Sequence, residues 1–283
     1  MKQSLLTSGA ILTLSALSTV SSLAADIPVT EAVRSSGKLV IASSLAYAPF
    51  EYTDASGNPA GLDIELAQAA ADLIGVKLEV VTIPFASQIP ALASGRATMA
   101  WTTFTVLPER LKQVDFISFM RTGSVAAVKP EDKDKFTKKL DLCGHAIAVQ
   151  TGTSGDVAAD SISADCKAAN LPEINKQIYP EPKDSIAAVL SGRAEAWLDD
   201  STATGYFEKT SSGQLVVTGD SYYPSPLGIA VAKGDTATAT MVDAVLKELM
   251  ANGTYKKLLD NYNMGKSSLE APVIYTDVSQ LNQ

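Results

Sequence analysis

Three consecutive stretches near the N-terminus decide the fold: "KLVIASS" at residues 38–44, "LDIELAQAAADLIG" at residues 62–75 and "KLEVVTIP" at residues 77–84. The first and third are apolar runs of strand length, which is typical of buried β-strands. The middle stretch has apolar residues at helical spacing and ends at a glycine, which favours a helix that stops there. A strand, a helix and a second strand in this order predict a βαβ unit with parallel strands.

The alternation of helices and strands continues along the chain and then starts again. Helices are predicted at residues 85–95 and from Pro108 onward, with a strand at 98–104; the second series has strands at 145–150, 175–180 and 194–200, a loop leading into a helix at 153–166 and a helix at 185–192. The corner "ALASGRATMAW" of the first series is echoed by "AAVLSGRAEAW" in the second. The echo indicates either two lobes of related plan or one common turn used twice. Both interpretations give two α/β units.

The C-terminal part of the chain is surplus to the second unit. A strand is predicted at residues 227–234, and an amphipathic helical pair at residues 237–263 is interrupted at Asn252 and Gly253. We expect these elements to return to the first unit and complete it.

The composition is that of a globular protein. The chain has 283 residues, 46% of them hydrophobic and 19% charged, with a formal net charge of −8. It contains no basic cluster, so nucleic acid is not an expected partner. His145 is the only histidine and has no set of soft ligands near it in the sequence, so we expect neither a metal nor a cofactor.

Residues 1–25 are predicted to be a signal peptide. Lys2 precedes an apolar run, and "SSLAA" supplies the small residues of a cleavage site. The alternative, a membrane anchor, is disfavoured because the apolar run is short and rich in serine and threonine. No cysteine lies at the cleavage site for lipid attachment, so we expect a soluble protein in the periplasm.

The two cysteines, Cys143 and Cys166, are predicted to form a disulfide if the protein is exported to an oxidising compartment. Such a bridge would stabilise the fold by about 3 kcal/mol in the chain-entropy account. The alternative is a pair of buried free thiols.

An anion site is predicted in "TTFTVLPERLKQVDF", residues 102–116. Pro108 suits the first position of a helix, which places Arg110 in the first turn. A cation there adds to the positive end of the helix dipole, and this is unfavourable unless an anion is to be held. The guanidinium fork matches a carboxylate. Thr103 and Thr105 lie at the end of the preceding strand, where open α/β sheets bind ligands, and could complete the anion's shell.

Arg110 has a plainer alternative role. It could be a surface arginine paired with Glu109 or Asp115, which are its near neighbours in the sequence. On residue chemistry alone, both interpretations stay open.

The second series offers groups for both ends of a zwitterion. In "VQTGTSGD", a turn after a strand brings the N–H groups of Thr153 and Ser154 to the start of a helix, which can hold a carboxylate, although an ordinary turn would read the same way. In "AWLDDS", Asp199 and Asp200 end a strand and could receive an ammonium group. The alternative is helix N-capping by an aspartate.

Two aromatic residues are predicted at the same rim of strand ends. Tyr47 follows the first strand and Phe85 follows the next strand in the sequence. Their rings could enclose a ligand side chain between them. The alternative for each is packing in the core.

Taken together, these stretches resemble the periplasmic solute-binding proteins of ABC importers for polar amino acids, which include glutamine-, histidine- and lysine/arginine/ornithine-binding proteins. The resemblance covers about residues 36–265. It is carried, in the family's order, by "YAPFEY", "GLDIELA", "IPALASG", "TVLPERLKQVDF", "VQTGTS", "SGRAEAWLDD", "PLGIAVAKG" and "NGTYKKL".

The resemblance implies a two-lobed periplasmic-binding-protein fold of type II. Each lobe would be a mostly parallel sheet flanked by helices, and two hinge strands would join the lobes near residues 121–125 and 218–223. The implied division is a signal peptide at 1–25, the first part of lobe 1 at 26–122, lobe 2 at 123–220 and the returning part of lobe 1 at 221–283.

The resemblance also implies roles for individual residues. Arg110 would bind the ligand carboxylate and Asp200 the ammonium; Thr103, Thr105, Thr153 and Ser154 would support the carboxylate, Tyr47 and Phe85 would enclose the side chain, and Ser44 and Gln150 would line its pocket. Some family members carry an aspartate where this chain has Ser44, and a threonine where it has Leu107. Ser44 and Gln150 therefore favour an uncharged polar side chain, whereas Asp199 leaves a cationic one open.

The implied function is capture of a free L-amino acid and its delivery to the permease subunits of an ABC transporter, by a monomer without a cofactor. An enzyme similar to cyclohexadienyl dehydratases is the first alternative. It would need an acid or base beyond the amino-acid clamp, and only Asp199 and Glu51 are spare carboxyls near the expected cleft. A sensor that presents its ligand to a receptor is the second alternative.

Overall fold

The computed structural model describes residues 27–282, so the predicted signal peptide lies outside the described residues. The first elements alternate as the sequence predicts. They are α1 (Glu31–Ser36), β1 (Lys38–Ser43), β2 (Ala46–Tyr47), β3 (Glu51–Thr53), β4 (Pro59–Ala60), α2 (Leu62–Leu73), β5 (Lys77–Thr82), α3 (Phe85–Ala93), β6 (Met99–Thr105), α4 (Pro108–Leu111) and β7 (Val114–Val128).

A second α/β series follows β7, and the chain then returns through a long strand. The elements are β8 (Ala146–Gln150), α5 (Ser154–Ala168), β9 (Asn175–Tyr179), α6 (Pro182–Leu190), β10 (Ala196–Asp200), α7 (Ser201–Thr210), β11 (Val216–Ala232), α8 (Thr236–Ala251), α9 (Thr254–Asn261) and β12 (Ser268–Tyr275). Short 3₁₀ turns lie at Pro130–Asp132, Lys139–Leu142, Gly265–Ser267 and Val278–Asn282.

One continuous sheet runs through both halves of the molecule, in the order β5-β1-β6-β11-β7-β10-β8-β9, and β12 adds to β7. Strand β1 is parallel to β5 and β6, and β8 is parallel to β9 and β10. The long strands β7 and β11 are antiparallel to each other and pair with strands of both halves. They are the two hinge strands of the expected fold, and the predicted fold class is confirmed.

The hydrophobic core is divided in the same way. One pair of clusters takes its buried members from residues 33–120 and 227–264, with Ala203 as the exception, and the other pair takes them from residues 126–222. The returning segment therefore packs on the first lobe. Ala203 lies in the first turn of α7, so that turn contacts the first lobe across the cleft.

Two glycines allow close approaches that position the site. A Cβ on Gly123 would lie 2.1 Å from Oγ of Ser221, at the point where the hinge strands face each other. A Cβ on Gly155 would lie 2.0 Å from the backbone oxygen of Leu198, so only glycine lets α5 pack this closely on β10. These contacts bring the start of α5 next to the end of β10.

In the second lobe and the tail, the structure differs from the sequence predictions at two elements and confirms one predicted feature. Helix α5 begins at Ser154, where a loop was expected, because Oγ1 of Thr153 caps it by accepting from the backbone N–H of Asp156 at 3.3 Å. The predicted disulfide between Cys143 and Cys166 is present, so the free-thiol alternative is wrong. Strand β12 was not predicted.

Within residues 27–282, no helix combines the length and apolar character needed to span a membrane.

Candidate functional site

A cavity lies between the lobes at the carboxyl ends of β1, β6, β8 and β10. It encloses about 380 Å³ of space, including its opening to solvent. All ten predicted ligand-binding residues line it together with four others; the lining is Ser44, Ala46, Tyr47, Phe85, Thr102, Thr103, Thr105, Arg110, Gln150, Thr153, Ser154, Pro182, Asp199 and Asp200. The sequence therefore identified residues that share one site, drawn from both lobes.

Arg110 is buried in this cavity, with 7% of its surface exposed. It projects from the short helix α4, which Pro108 opens. Its Nη1 donates to the backbone oxygen of Thr105 at 2.7 Å, and its Nη2 donates across the cleft to the backbone oxygen of Gly152. The guanidinium carbon lies 5.4 Å from the centre of the Phe85 ring, within cation–π range.

The plainer interpretation of Arg110 as a paired surface residue is wrong. Glu109 pairs with Lys112 at 2.8 Å, and Asp115 pairs with Lys233 at 2.8 Å. No carboxylate of residues 27–282 lies within salt-bridge distance of Arg110. Burial lowers the pKa of Arg110 to about 10, so the group remains a cation at neutral pH. A buried cation without a counter-ion is costly, and an anion in the cavity would offset that cost.

The start of α5 faces the same cavity from the second lobe. The hydroxyl of Thr153 donates to the backbone oxygen of Gln150 at 2.9 Å while it caps the helix. Helix α5 has 15 residues, so its N-terminal N–H groups and dipole favour an anion here. Thr153 and Ser154 thus lie on the lining where the sequence placed them.

Asp200 is both an N-cap and a cleft residue. Its Oδ1 accepts from the backbone N–H groups of Thr202 at 3.1 Å and Ala203 at 3.0 Å, which starts helix α7. Its Oδ2 accepts from the hydroxyl of Tyr47 in the first lobe. N-capping therefore does not exclude a ligand contact, because it uses Oδ1 and leaves Oδ2 facing the first lobe.

Asp199 lines the cavity with one oxygen satisfied and one unpartnered. Its Oδ1 accepts from the backbone N–H of Asp200 at 2.9 Å and from the hydroxyl of Tyr47 at 3.3 Å. Its Oδ2 is buried and has no hydrogen-bond partner in the described part of the chain. Burial and the neighbouring charge of Asp200 raise the pKa of Asp199 well above its ordinary value.

Two further carboxyls lie behind the first-lobe wall of the cavity. Oε1 of Glu51 accepts from the hydroxyl of Thr102 and from that of Ser44 at 3.2 Å, and Oδ2 of Asp63 accepts from the hydroxyl of Thr103. Their remaining oxygens have no donor partner among residues 27–282, and the two carboxyls are close enough to hydrogen bond to each other.

Protonation of one of the two carboxyls would remove the repulsion between them. Burial raises the pKa of Asp63 to about 7, and burial together with the charge of Asp63 raises that of Glu51 well above its ordinary value. One proton held between the two carboxyls satisfies both of the remaining oxygens.

Thr103 has an unusual backbone that fits this arrangement. Its φ is +50°, a left-handed conformation that is rare for a β-branched residue. The hydroxyl proton of Thr103 is committed to Asp63, so its oxygen can offer only lone pairs to a ligand. This suits an ammonium group better than the carboxylate that the sequence assigned to Thr103.

The two predicted aromatic residues line the cavity and also pack within their own lobe. The ring of Tyr47 stacks on Phe50 with centroids 5.8 Å apart, and that of Phe85 lies 4.7 Å from Phe104. Ligand contact and core packing are thus not exclusive. Gln150 donates from Nε2 to the backbone oxygen of Pro180 at 3.2 Å, which fixes its amide on the lining.

Sequence reasoning missed Asp63 and Thr102. Asp63 carried a readable signal, because it is a charged residue within the apolar start of helix α2, and it is completely buried. Thr102 carried no such signal, since threonine is ordinary in a strand. Within residues 27–282, no cluster of His, Cys, Asp and Glu side chains forms a metal site.

A two-lobed α/β fold with opposite charges converging on the cavity between the lobes defines a protein that encloses a small ligand. The family model of the bacterial extracellular solute-binding proteins, family 3, matches residues 39–266. The chain belongs to this family.

Curated relatives support the same assignment. The arginine-binding extracellular protein ArtP of Bacillus subtilis is 30% identical over 233 residues, which cover 81% of this chain and 87% of that protein. The arginine-binding protein ArgT of Corynebacterium glutamicum is 26% identical over 249 residues, which cover 87% of this chain and 81% of that protein. These relatives are binding proteins, and the chain is a solute-binding protein rather than an enzyme.

A solved structure with a similar fold is that of the ancestral amino acid-binding protein AncCDT-1, a precursor of cyclohexadienyl dehydratase. It superposes with a TM-score of 0.74 at 32% identity, covering 82% of this chain and 97% of that chain. The neighbour is itself described as an amino acid-binding protein, so it does not favour the enzyme alternative.

Proposed function

We propose that this protein captures a free L-amino acid with a polar side chain between its lobes and delivers it to the permease of an ABC transporter. One observation carries the proposal: the buried cation Arg110 has no counter-ion among residues 27–282 and shares a cavity with Asp200 of the other lobe. A zwitterion would satisfy both groups at once and hold the lobes together.

The carboxylate end belongs at Arg110. The guanidinium fork can offer N–H groups to two oxygens, and the N-terminus of α5 adds its dipole from the second lobe. Thr105 supports this end indirectly, because its backbone oxygen anchors Nη1 of Arg110. Ser154 supplies its backbone N–H at the start of α5, and Thr153 supports it as the helix N-cap.

The ammonium end belongs at Asp200. Its Oδ2 accepts from the hydroxyl of Tyr47, and the oxygen of Thr103 presents lone pairs on the same lining. An ammonium group has three donors, so it can replace the tyrosine hydroxyl on Asp200 and bond further acceptors.

Comparison with known relatives supports the wider role. Relatives named as arginine-binding make L-arginine the first ligand to test, and the extracellular family supports export by the signal peptide at residues 1–25 into the periplasm. The division of the core supports a lobe 1 of residues 26–122 and 221–283 and a lobe 2 of residues 123–220. Reconstitution with the permease subunits would separate transport from a sensing role.

Ligand analogues that each lack one charge test the proposal. Thermal unfolding of residues 26–283 would be followed with each of the twenty L-amino acids, and the best ligand would be compared with its methyl ester and its Nα-acetyl derivative. We expect the free amino acid to raise the unfolding midpoint and both derivatives to lose that effect. Equal effects of the ester and the free acid would contradict a carboxylate at Arg110.

A further inference from the structure

The charged groups at the cavity are strongly unbalanced. One cation, Arg110, lines the cavity with two carboxyls, Asp199 and Asp200, and two more, Glu51 and Asp63, lie behind its first-lobe wall; each of these five side chains is more than nine-tenths buried. A zwitterion is neutral and uses one group of each sign. The remaining carboxyls therefore still need protons or a positive charge after the amino-acid end of a ligand is bound.

Two of the remaining carboxyls can be satisfied within the first lobe. Glu51 and Asp63 accept from Thr102 and Thr103, and one proton shared between their remaining oxygens would complete the pair. Ser44 donates its hydroxyl to Glu51 at 3.2 Å. The serine thus belongs to this hydrogen-bonded group, and its presence does not make the pocket uncharged.

Asp199 differs from Glu51 and Asp63 in its position, because it lies on the cavity lining and not behind it. Its Oδ2 is buried without a partner in residues 27–282, and the residue lines the cavity. The groups facing Asp199 are the carboxylate of Asp200 and the hydroxyl of Tyr47, with Glu51 and Asp63 further into the first lobe. Arg110 is directed elsewhere, to the backbone oxygens of Thr105 and Gly152.

One wall of the cavity suits a cation. The aromatic ring of Tyr47 lines it, and aromatic faces attract guanidinium and ammonium groups, whereas the ring of Phe85 already lies against Arg110. Gln150 and Ser154 add polar groups on the second-lobe side.

We propose that the ligand is an amino acid with a cationic side chain, and that Asp199 is the residue that receives this second positive charge. The inference rests on the proposed function, because it assumes that Arg110 and Asp200 bind the zwitterion. In this proposal, Asp199 makes the site bind cationic side chains more tightly than neutral side chains of similar shape.

L-arginine and L-citrulline form the sharpest test, because they have nearly the same shape and differ in the guanidinium charge. Both would be titrated calorimetrically into residues 26–283 as the wild type, as Asp199→Asn, and as Asp134→Asn, a control on an exposed aspartate of the same lobe. L-lysine and L-glutamine extend the comparison to a different cation and a different neutral amide.

We expect the wild type and Asp134→Asn to bind L-arginine or L-lysine at least about 100-fold more tightly than the neutral amino acids, since a buried charge pair is lost with the latter. In Asp199→Asn this preference should fall below about 10-fold, with the midpoint of thermal unfolding preserved. Asparagine keeps the shape, removes the charge and replaces one acceptor oxygen with an NH2 donor.

Tight binding of L-citrulline or L-glutamine by the wild type, at or above the affinity for L-arginine and L-lysine, would overturn the inference while leaving the proposed function intact. An unchanged preference in Asp199→Asn would overturn the role of Asp199. If no free amino acid bound, the proposed function itself would fail, and the inference with it.

Discussion

At the scale of single residues, the site is a set of buried ionisable groups whose environments differ. Arg110 is a cation in the first turn of a helix, without a carboxylate partner among residues 27–282, and Asp199 has an oxygen without a donor. Both arrangements are costly in a protein interior and are characteristic of ligand sites. Glu51 and Asp63 are equally buried, and burial raises the pKa of both, so a proton shared between them would satisfy the pair.

The proton held by Glu51 and Asp63 predicts how stability depends on pH. The folded-state pKa of Asp63 is about 7, above its ordinary value of 3.8. A raised folded-state pKa contributes stability that is complete below the unfolded value and is lost as the pH rises through the folded value. Wild-type protein should therefore lose stability relative to Asp63→Asn between about pH 4 and pH 7, as measured by urea unfolding at several pH values.

Glu195 provides a control of opposite sign for that measurement. Burial alone would raise its pKa, but hydrogen bonds from Lys135 and His145 hold the pKa of Glu195 at about 2. The stability it contributes is present above its unfolded value and is lost as the pH falls, so Glu195→Gln should change the profile below about pH 4.5 only. A flat difference between wild type and Asp63→Asn would contradict the shared proton.

At the scale of elements, close packing of α5 on β10 brings Thr153 and Asp199 to one cavity. Gly155→Ala would place a Cβ 2.0 Å from the backbone oxygen of Leu198. We expect a loss of about 1–3 kcal/mol in the free energy of unfolding, together with weaker ligand binding. Gly205→Ala is the matched control: this helical glycine of α7 has open space around its Cβ position, and alanine there should stabilise by about 0.5–1 kcal/mol. Equal effects of the two substitutions would disprove the packing argument.

Helix α4, which carries Arg110, is braced by the C-terminal tail. The ammonium of Lys233 donates to the backbone oxygen of Leu111 at 2.7 Å, to Oδ1 of Asp115 at 2.8 Å and to the backbone oxygen of Thr276 at 2.5 Å. Leu111 ends α4, and Thr276 follows β12 directly. The match to the family model ends at residue 266, before this tail begins.

Lys233→Met should therefore destabilise the protein by about 1–3 kcal/mol, because buried Asp115 loses its cation and two carbonyl groups lose a donor. Lys247→Met removes an exposed i,i+4 pair with Asp243 and should change the free energy of unfolding by less than about 0.5 kcal/mol. Urea unfolding of both variants provides the measurement. A loss in the free energy of unfolding no larger for Lys233→Met than for Lys247→Met would contradict the stabilising role of Lys233.

The elements also show how far the sequence alone could go. Strands β1, β6, β8 and β10 were readable as apolar runs, and the groups at their carboxyl ends followed from the rule that parallel sheets bind ligands there. Strand β12 was not readable, because its residues are mostly exposed and its pairing with β7 depends on a distant segment. The contacts of Asp63 and the left-handed backbone conformation of Thr103 depend on tertiary packing. The periodicity of apolar residues in the sequence carries no information about such packing.

At the scale of the whole molecule, two cores joined by two long strands permit the lobes to move, and few polar contacts join the lobes at the site. These contacts include the hydroxyl of Tyr47 with Asp199 and Asp200, Nη2 of Arg110 with the backbone oxygen of Gly152, and the hydroxyl of Thr122 with Asp200 and Ser201. Tyr47, Asp200 and Arg110 are among the side chains proposed to hold the ligand. Ligand affinity and lobe closure should therefore depend on one another.

The most direct measurement is calorimetric titration of the twenty L-amino acids into wild type, Arg110→Ala and Arg96→Ala, the last a control on an exposed arginine of the first lobe. Circular dichroism would establish that each variant is folded. The account predicts that wild type and Arg96→Ala bind at least one cationic L-amino acid with equal affinity, and that Arg110→Ala loses more than about 100-fold. A loss of less than about fivefold in Arg110→Ala would contradict the guanidinium as the carboxylate-binding group.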